Sequence, residues 1–128
     1  MSLLSKLNTS SLIKAEDVIE KEPMTDDYAE KLSEVLRTEG RSNVWPNKYD
    51  MNKPYRVSVQ KRGKYQQYGL FTDIEAAAAV GTIAAMAVYG KKAIQGTYDA
   101  EAAEKSPEFI AWAADSQNAA TLKAAMSV

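Results

Sequence analysis

Apolar positions along this chain fall at helical spacing, switch to alternation near residue 41, and return to helical spacing after residue 71. In SLIKAEDVIEKE, residues 11–22, Leu12, Ala15 and Ile19 share one side of a short helix that Pro23 ends. TDDYAEKLSEVLRTEG predicts a second helix. Thr25 is its N-cap, Asp26 and Asp27 sit at the positive end of its dipole, and Gly40 supplies a left-handed stop. Tyr28, Ala29, Leu32, Val35 and Leu36 make its apolar stripe.

From residue 41 the period changes. NVWPNKY carries β-type residues, but Pro46 restricts it to an edge or broken strand. YRVSVQ alternates, with Val57 and Val59 facing one way and Arg56, Ser58 and Gln60 the other. KRGK is a hairpin turn in which Gly63 takes a positive φ, and KYQQYGLF returns as a third strand. Three such strands need a cover for their apolar face. TDIEAAAAVGTIAAMAVYG provides it: Thr72 and Glu75 have capping-box spacing, and Gly90 stands at the C-terminal stop. Ala77, Val80, Ala84, Ala87 and Val88 form the inward stripe. Gly81 costs about 1 kcal/mol relative to alanine inside a helix, so a close approach of backbone is expected there.

Ser106 followed by Pro107 starts a last helix, SPEFIAWAADSQNAATLKAA. Its Phe109, Ile110, Trp112 and Ala113 dock on the body, and Phe109 and Trp112 read as core. The expected fold class is α+β: a three-stranded antiparallel sheet on one alanine-rich helix, with additional N-terminal and C-terminal helices. The divisions are an N-terminal helical extension at 1–40, a central unit at 41–94 and a C-terminal helical extension at 95–128.

Composition narrows the chemistry. The chain has 128 residues, the size of one domain, and contains neither cysteine nor histidine. Disulfides, zinc sites of thiolate or imidazole type, and histidine-based catalysis are excluded. No nucleophile–base pair, phosphate loop or ligand cluster stands out, so no enzyme activity, metal or cofactor is expected. No apolar run approaches the ~20 residues of a membrane span, and the apolar stretch near the N-terminus is short for a signal peptide. The expected location is intracellular: a bacterial cytoplasm, or a nucleus if the source is eukaryotic.

The net charge of −1 hides a strong asymmetry. Residues 1–40 hold five basic and nine acidic side chains, and residues 72–128 hold four and seven. Between them, residues 41–71 hold seven basic side chains against Asp50 alone. A basic centre between acidic flanks is a statement about partners.

Residues 43–94 resemble the Apetala-type DNA-binding domain of plant ethylene-response factors, which also occurs beside homing nucleases in phages and bacteria. The resemblance lies in the basic strand pair, Gly69 and Phe71, and Glu75 at the helix start. It continues through Ala76 to Ala79, the pair Ala84–Ala85, and Tyr89–Gly90 with Ala93. It implies that the open face of the sheet enters the major groove of double-stranded DNA. Carried over by position, the base-facing residues are Trp45, Asn47, Arg56, Ser58, Gln60, Tyr65 and Gln67. Val44, Val57, Val59, Gln66 and Tyr68 then face the helix. Arg41, Lys48, Lys53, Lys61, Arg62 and Lys64 supply phosphate contacts, which give affinity without sequence information. The chain departs from the family where Trp45 and Asn47 replace first-strand arginines, Gln67 replaces a tryptophan, and Gly81 replaces the helix aspartate.

The residues leave other readings open. Lysines on an exposed hairpin also serve as a charged edge that resists aggregation. Trp45 is either DNA-facing or packed under the N-terminal helix, and Tyr65 fits an exposed cross-strand packer. The leading expectation is a small DNA-binding regulator or accessory protein of phage type, dimerising through its terminal helices if it dimerises. The alternative is a protein-interaction module or inhibitor of a host factor that keeps this fold without binding DNA.

Overall fold

The computed structural model describes residues 21–128, so the helix expected over 11–22 lies almost wholly outside the described residues. The described elements are α1 (Asp26–Thr38), β1 (Val44–Pro46), β2 (Tyr55–Lys61), β3 (Lys64–Phe71) and α2 (Ile74–Tyr89). A 3-10 turn at Gly90–Lys92 follows, then α3 (Ala100–Lys105), α4 (Pro107–Ala114) and α5 (Ser116–Met126). The three strands form one antiparallel sheet in the order β1-β2-β3. The fold is α+β.

The β2–β3 hairpin is tight because Lys61 pairs with Lys64, leaving a two-residue turn with Arg62 at φ 52° and Gly63 at φ 78°. Two left-handed central residues define the turn whose twist matches paired strands. Further along, Ser58 pairs with Gln67 and Val57 with Gly69. Tyr68 therefore has no opposite number, and β3 carries a bulge there. The indole of Trp112 on α4 donates to the Tyr68 carbonyl at 2.8 Å, giving that displaced backbone a partner.

Val44, Val57 and Val59 are buried on the inner face, as their alternation requires. Gln66 registers with Val59 yet stays exposed on the edge strand β3, while Val59 on the central strand is buried. α2 lies on this inner face, and α3, α4 and α5 pack on α2 in turn. That arrangement explains why α2 is buried on more than one side. Ala77, Val80 and Ala84 are buried as expected, but so are Ala76, Ala78, Ala79 and Ala85, while Ala87 and Val88 are only half-buried. Contrary to the expectation that no apolar run nears membrane-spanning length, the segment Ile74–Lys92 is long and apolar enough by composition to cross a membrane; here it is the middle layer of the fold.

Caps differ from expectation in detail. Asp73, not Thr72, caps α2, with its carboxylate accepting from the Glu75 N–H at 2.9 Å. Thr72 instead donates from both its backbone N–H and its hydroxyl to Glu108 of α4, and Asp73 donates its N–H there at 2.7 Å. Ser106 and Pro107 do start a helix, but it ends at Ala114, and Asp115 caps a separate α5. In α1, Ala29 and Leu36 are buried, whereas Tyr28 and Val35 are exposed. Leu36 and Trp112 share one core with Val44, Val57, Phe71 and the alanines of α2. The described part of the N-terminal extension and the C-terminal extension thus both contribute side chains to the core of the central unit.

Gly81 is needed where α2 passes the turn before β1. A Cβ there would sit 2.8 Å from the Ser42 carbonyl oxygen. The close backbone approach expected from the sequence is present.

Candidate nucleic-acid interface

The face of the sheet opposite α2 is built from alternate residues of three strands. Trp45 pairs with Arg56 across β1 and β2, and Gln60 pairs with Tyr65 across β2 and β3. Gln60, Tyr65 and Gln67 are exposed, and Arg56 is half-buried. α3 and α5 pack on α2, and α4 also reaches the far end of β3 through Trp112 and Glu108, so among the described residues it is the tip half of the β2–β3 ribbon that is open to solvent.

Trp45 and Tyr65 roof part of this face. Their rings come from β1 and β3 and meet edge to face, with centroids 6.2 Å apart. The Trp45 indole donates to the Ser58 carbonyl at 3.2 Å. Ser58 lies below and is only 4% exposed, which removes it from the base-facing set. Trp45 is neither core nor free: it is 37% exposed, with its one polar group already bonded.

Two further expected contacts are placed elsewhere. Asn47 is 3% exposed, because β1 ends at Pro46 and the Asn47 side chain turns in to close the 47–54 loop. Its amide donates to the Lys53 carbonyl at 2.9 Å, and its N–H donates to the Pro54 carbonyl. Arg41, expected at phosphate, is occupied in the fold. Its guanidinium grips both oxygens of Glu75, at 2.6 and 3.1 Å, and also reaches Glu39 and the Thr97 carbonyl. The hydrogen bond from Arg41 holds the Glu75 carboxyl below its ordinary range, and Glu75 in turn raises Arg41.

The remaining cations fall into two groups at opposite ends of the ribbon, which a seven-residue strand separates by roughly 20 Å. Lys48 and Lys53 belong to the 47–54 loop, and Lys48 approaches Asp26 at 3.9 Å in an exposed pair worth little. Lys61, Arg62 and Lys64 crowd the hairpin tip, all exposed and without an ion pair among the described residues.

Between them, Arg56 faces a groove of about 580 Å³ that α1 walls on the β1 side. Asp26, Glu30 and Glu34 line it with Arg37, Trp45, Lys48 and Tyr49. Among the described residues no carboxylate pairs with Arg56, and its buried Nε has no hydrogen-bond partner. Arg37 and Tyr49 were not among the expected site residues. Arg37 reaches the groove only because of how α1 docks on the sheet, which no local pattern announces.

The described residues hold no cluster of three acidic side chains suited to a metal ion. Chemically the face offers guanidinium, ammonium and amide donors beside an aromatic pair. No family model matches the chain, and no curated protein or solved structure matches it.

Proposed function

We propose that this protein binds double-stranded DNA through the outer face of its β2–β3 ribbon, in the manner of an Apetala-type domain. The observation that carries this reading is the ribbon whose outer face holds Arg56 and Gln60 on β2 and Gln67 on β3, with three cations at its tip that make no ion pair among the described residues. A two-stranded ribbon fits the major groove, where arginine reads guanine and glutamine reads adenine through paired hydrogen bonds. Lys61, Arg62 and Lys64 grip phosphate at the tip, and Lys48 and Lys53 do so at the far end of the ribbon. Asn47, Ser58 and Arg41 are left out of the contact set because the fold already uses them. The role is that of a small regulator or accessory protein.

Fluorescence anisotropy with mixed-sequence duplex DNA over a range of salt tests the proposal. Three tip cations alone give a slope of log affinity against log salt of about −2.7, at about −0.9 per phosphate. Arg56→Ala with Arg62→Ala should abolish most of the binding, while a folded wild-type protein that ignores duplex at low salt would refute the reading.

One observation favours a second reading. Asp26, Glu30 and Glu34 line the same groove as Arg56, and such mixed charge suits a protein segment better than a polyanion. On that reading the chain is an interaction module, and groove substitutions such as Glu34→Lys alter partner binding while tip substitutions do not.

A further inference from the structure

The 3-10 turn after α2 places two more exposed cations, Lys91 and Lys92, at the hairpin end of the molecule, and we infer that they form a second phosphate-binding position for the same DNA. The inference rests on the DNA-binding reading and extends it to the layer behind the sheet.

The placement follows from the course of α2. Its first turn starts directly after Phe71, which pairs with Tyr55 at the end of the ribbon remote from the tip. By Gly81 the helix has reached Ser42 and Asn43, and the Asn43 carbonyl accepts from the Ser58 N–H at 3.1 Å. Gly81 is therefore level with Ser58. The eight residues from Gly81 to Tyr89 advance about 12 Å. Ser58 to Lys61 advances about 10 Å along β2. α2 thus runs back along the ribbon toward the tip, and Gly90–Lys92 ends level with the turn that carries Lys61, Arg62 and Lys64. Gly96 has returned to the middle of α2, where its N–H donates to the Thr82 hydroxyl, so Lys91 and Lys92 sit at the turning point of an excursion toward that end.

The height is also right. Packed layers lie roughly 10 Å apart, and the major groove is about 8.5 Å deep. A ribbon on the groove floor therefore brings the layer behind it level with the flanking phosphates. Both lysines are exposed and unpaired among the described residues. The plain alternative is that they only complement the negative C-terminal end of α2. That role requires no contact with DNA.

The test compares Lys91→Gln/Lys92→Gln with a control of equal charge change, Lys105→Gln/Lys123→Gln, on the C-terminal helices. Mixed-sequence duplex is titrated at several salt concentrations, with circular dichroism confirming the fold. The first variant should flatten the salt slope by about 0.9 per lysine and weaken binding roughly five-fold per lysine at 0.15 M salt. The control should leave the slope unchanged. An unchanged slope in the first variant, or an equal change in the control, overturns the inference. If wild type binds and Arg56→Ala/Arg62→Ala does not, while Lys91→Gln/Lys92→Gln matches wild type, only this inference fails. If wild type does not bind at all, the DNA reading falls with it.

Discussion

Trp45 and Tyr65 meet edge to face above β2, their planes at 89°, and tie the short edge strand to the far side of the ribbon. β1 has three residues, and its pairing with β2 spans only Val44 to Pro46. An aromatic contact that skips across the central strand holds β1 in place and sets the contour of the outer face. A double-mutant cycle of Trp45→Leu and Tyr65→Leu should return a coupling of about 0.5–1.5 kcal/mol in denaturant unfolding. Additive losses would show that the rings are neighbours without mutual support.

The Arg41–Glu75 pair joins the turn before β1 to the first turn of α2, and Glu75 also accepts from the Asp99 N–H. The folded protein holds the Glu75 carboxyl below its unfolded value of about 4.3. Its contribution to stability is therefore complete above that value and is lost as pH falls through the lower folded value. Glu75→Gln should cost on the order of 1–3 kcal/mol at neutral pH, and should flatten the acid limb of stability below about pH 4. An acid limb unchanged by the substitution would remove the pair from the account.

Gly81→Ala sets two effects against each other. Helix propensity favours alanine by about 1 kcal/mol. The new methyl would meet the Ser42 carbonyl oxygen at 2.8 Å, and that atom belongs to backbone that cannot swing aside. Overpacking costs about 1–3 kcal/mol, so the variant should unfold at lower denaturant. A gain in stability would mean that the turn at Ser42 yields easily.

Arg62→Asn separates charge from fold at the tip. Arg62 holds φ 52° next to Gly63, the conformation that asparagine before glycine favours. The variant should therefore be as stable as wild type or more so, while its duplex affinity and salt slope both fall, the slope by about 0.9. Unchanged binding would take the tip out of the interface.

Local patterns made the sheet, the hairpin and α2 legible, because Val57 and Val59 alternate, Gly63 marks a turn, and the alanine run has one strong propensity. Long-range partners were not legible. Nothing near Arg41 points to Glu75, thirty-four positions away, so a cation that looked free is bound. Nothing near Thr72 points to Glu108, so the cap was placed one residue early. The carbonyl of the bulged Tyr68 is bonded by Trp112, which comes from another element altogether. The base-facing place that the family resemblance implies for Asn47 fails because β1 ends at Pro46 and the Asn47 amide turns in to the Lys53 carbonyl. Gln60 and Gln67, whose pairing partners lie within the hairpin itself, stay outward and exposed as expected.

The most direct test is an amide-resolved NMR titration of the whole protein with a short mixed-sequence duplex. The account predicts shifts concentrated at Arg56, Gln60 through Tyr65 and Gln67, with the buried Asn47 and the C-terminal helix α5 unmoved. Shifts confined to α1 or to α5, with the hairpin silent, would contradict it.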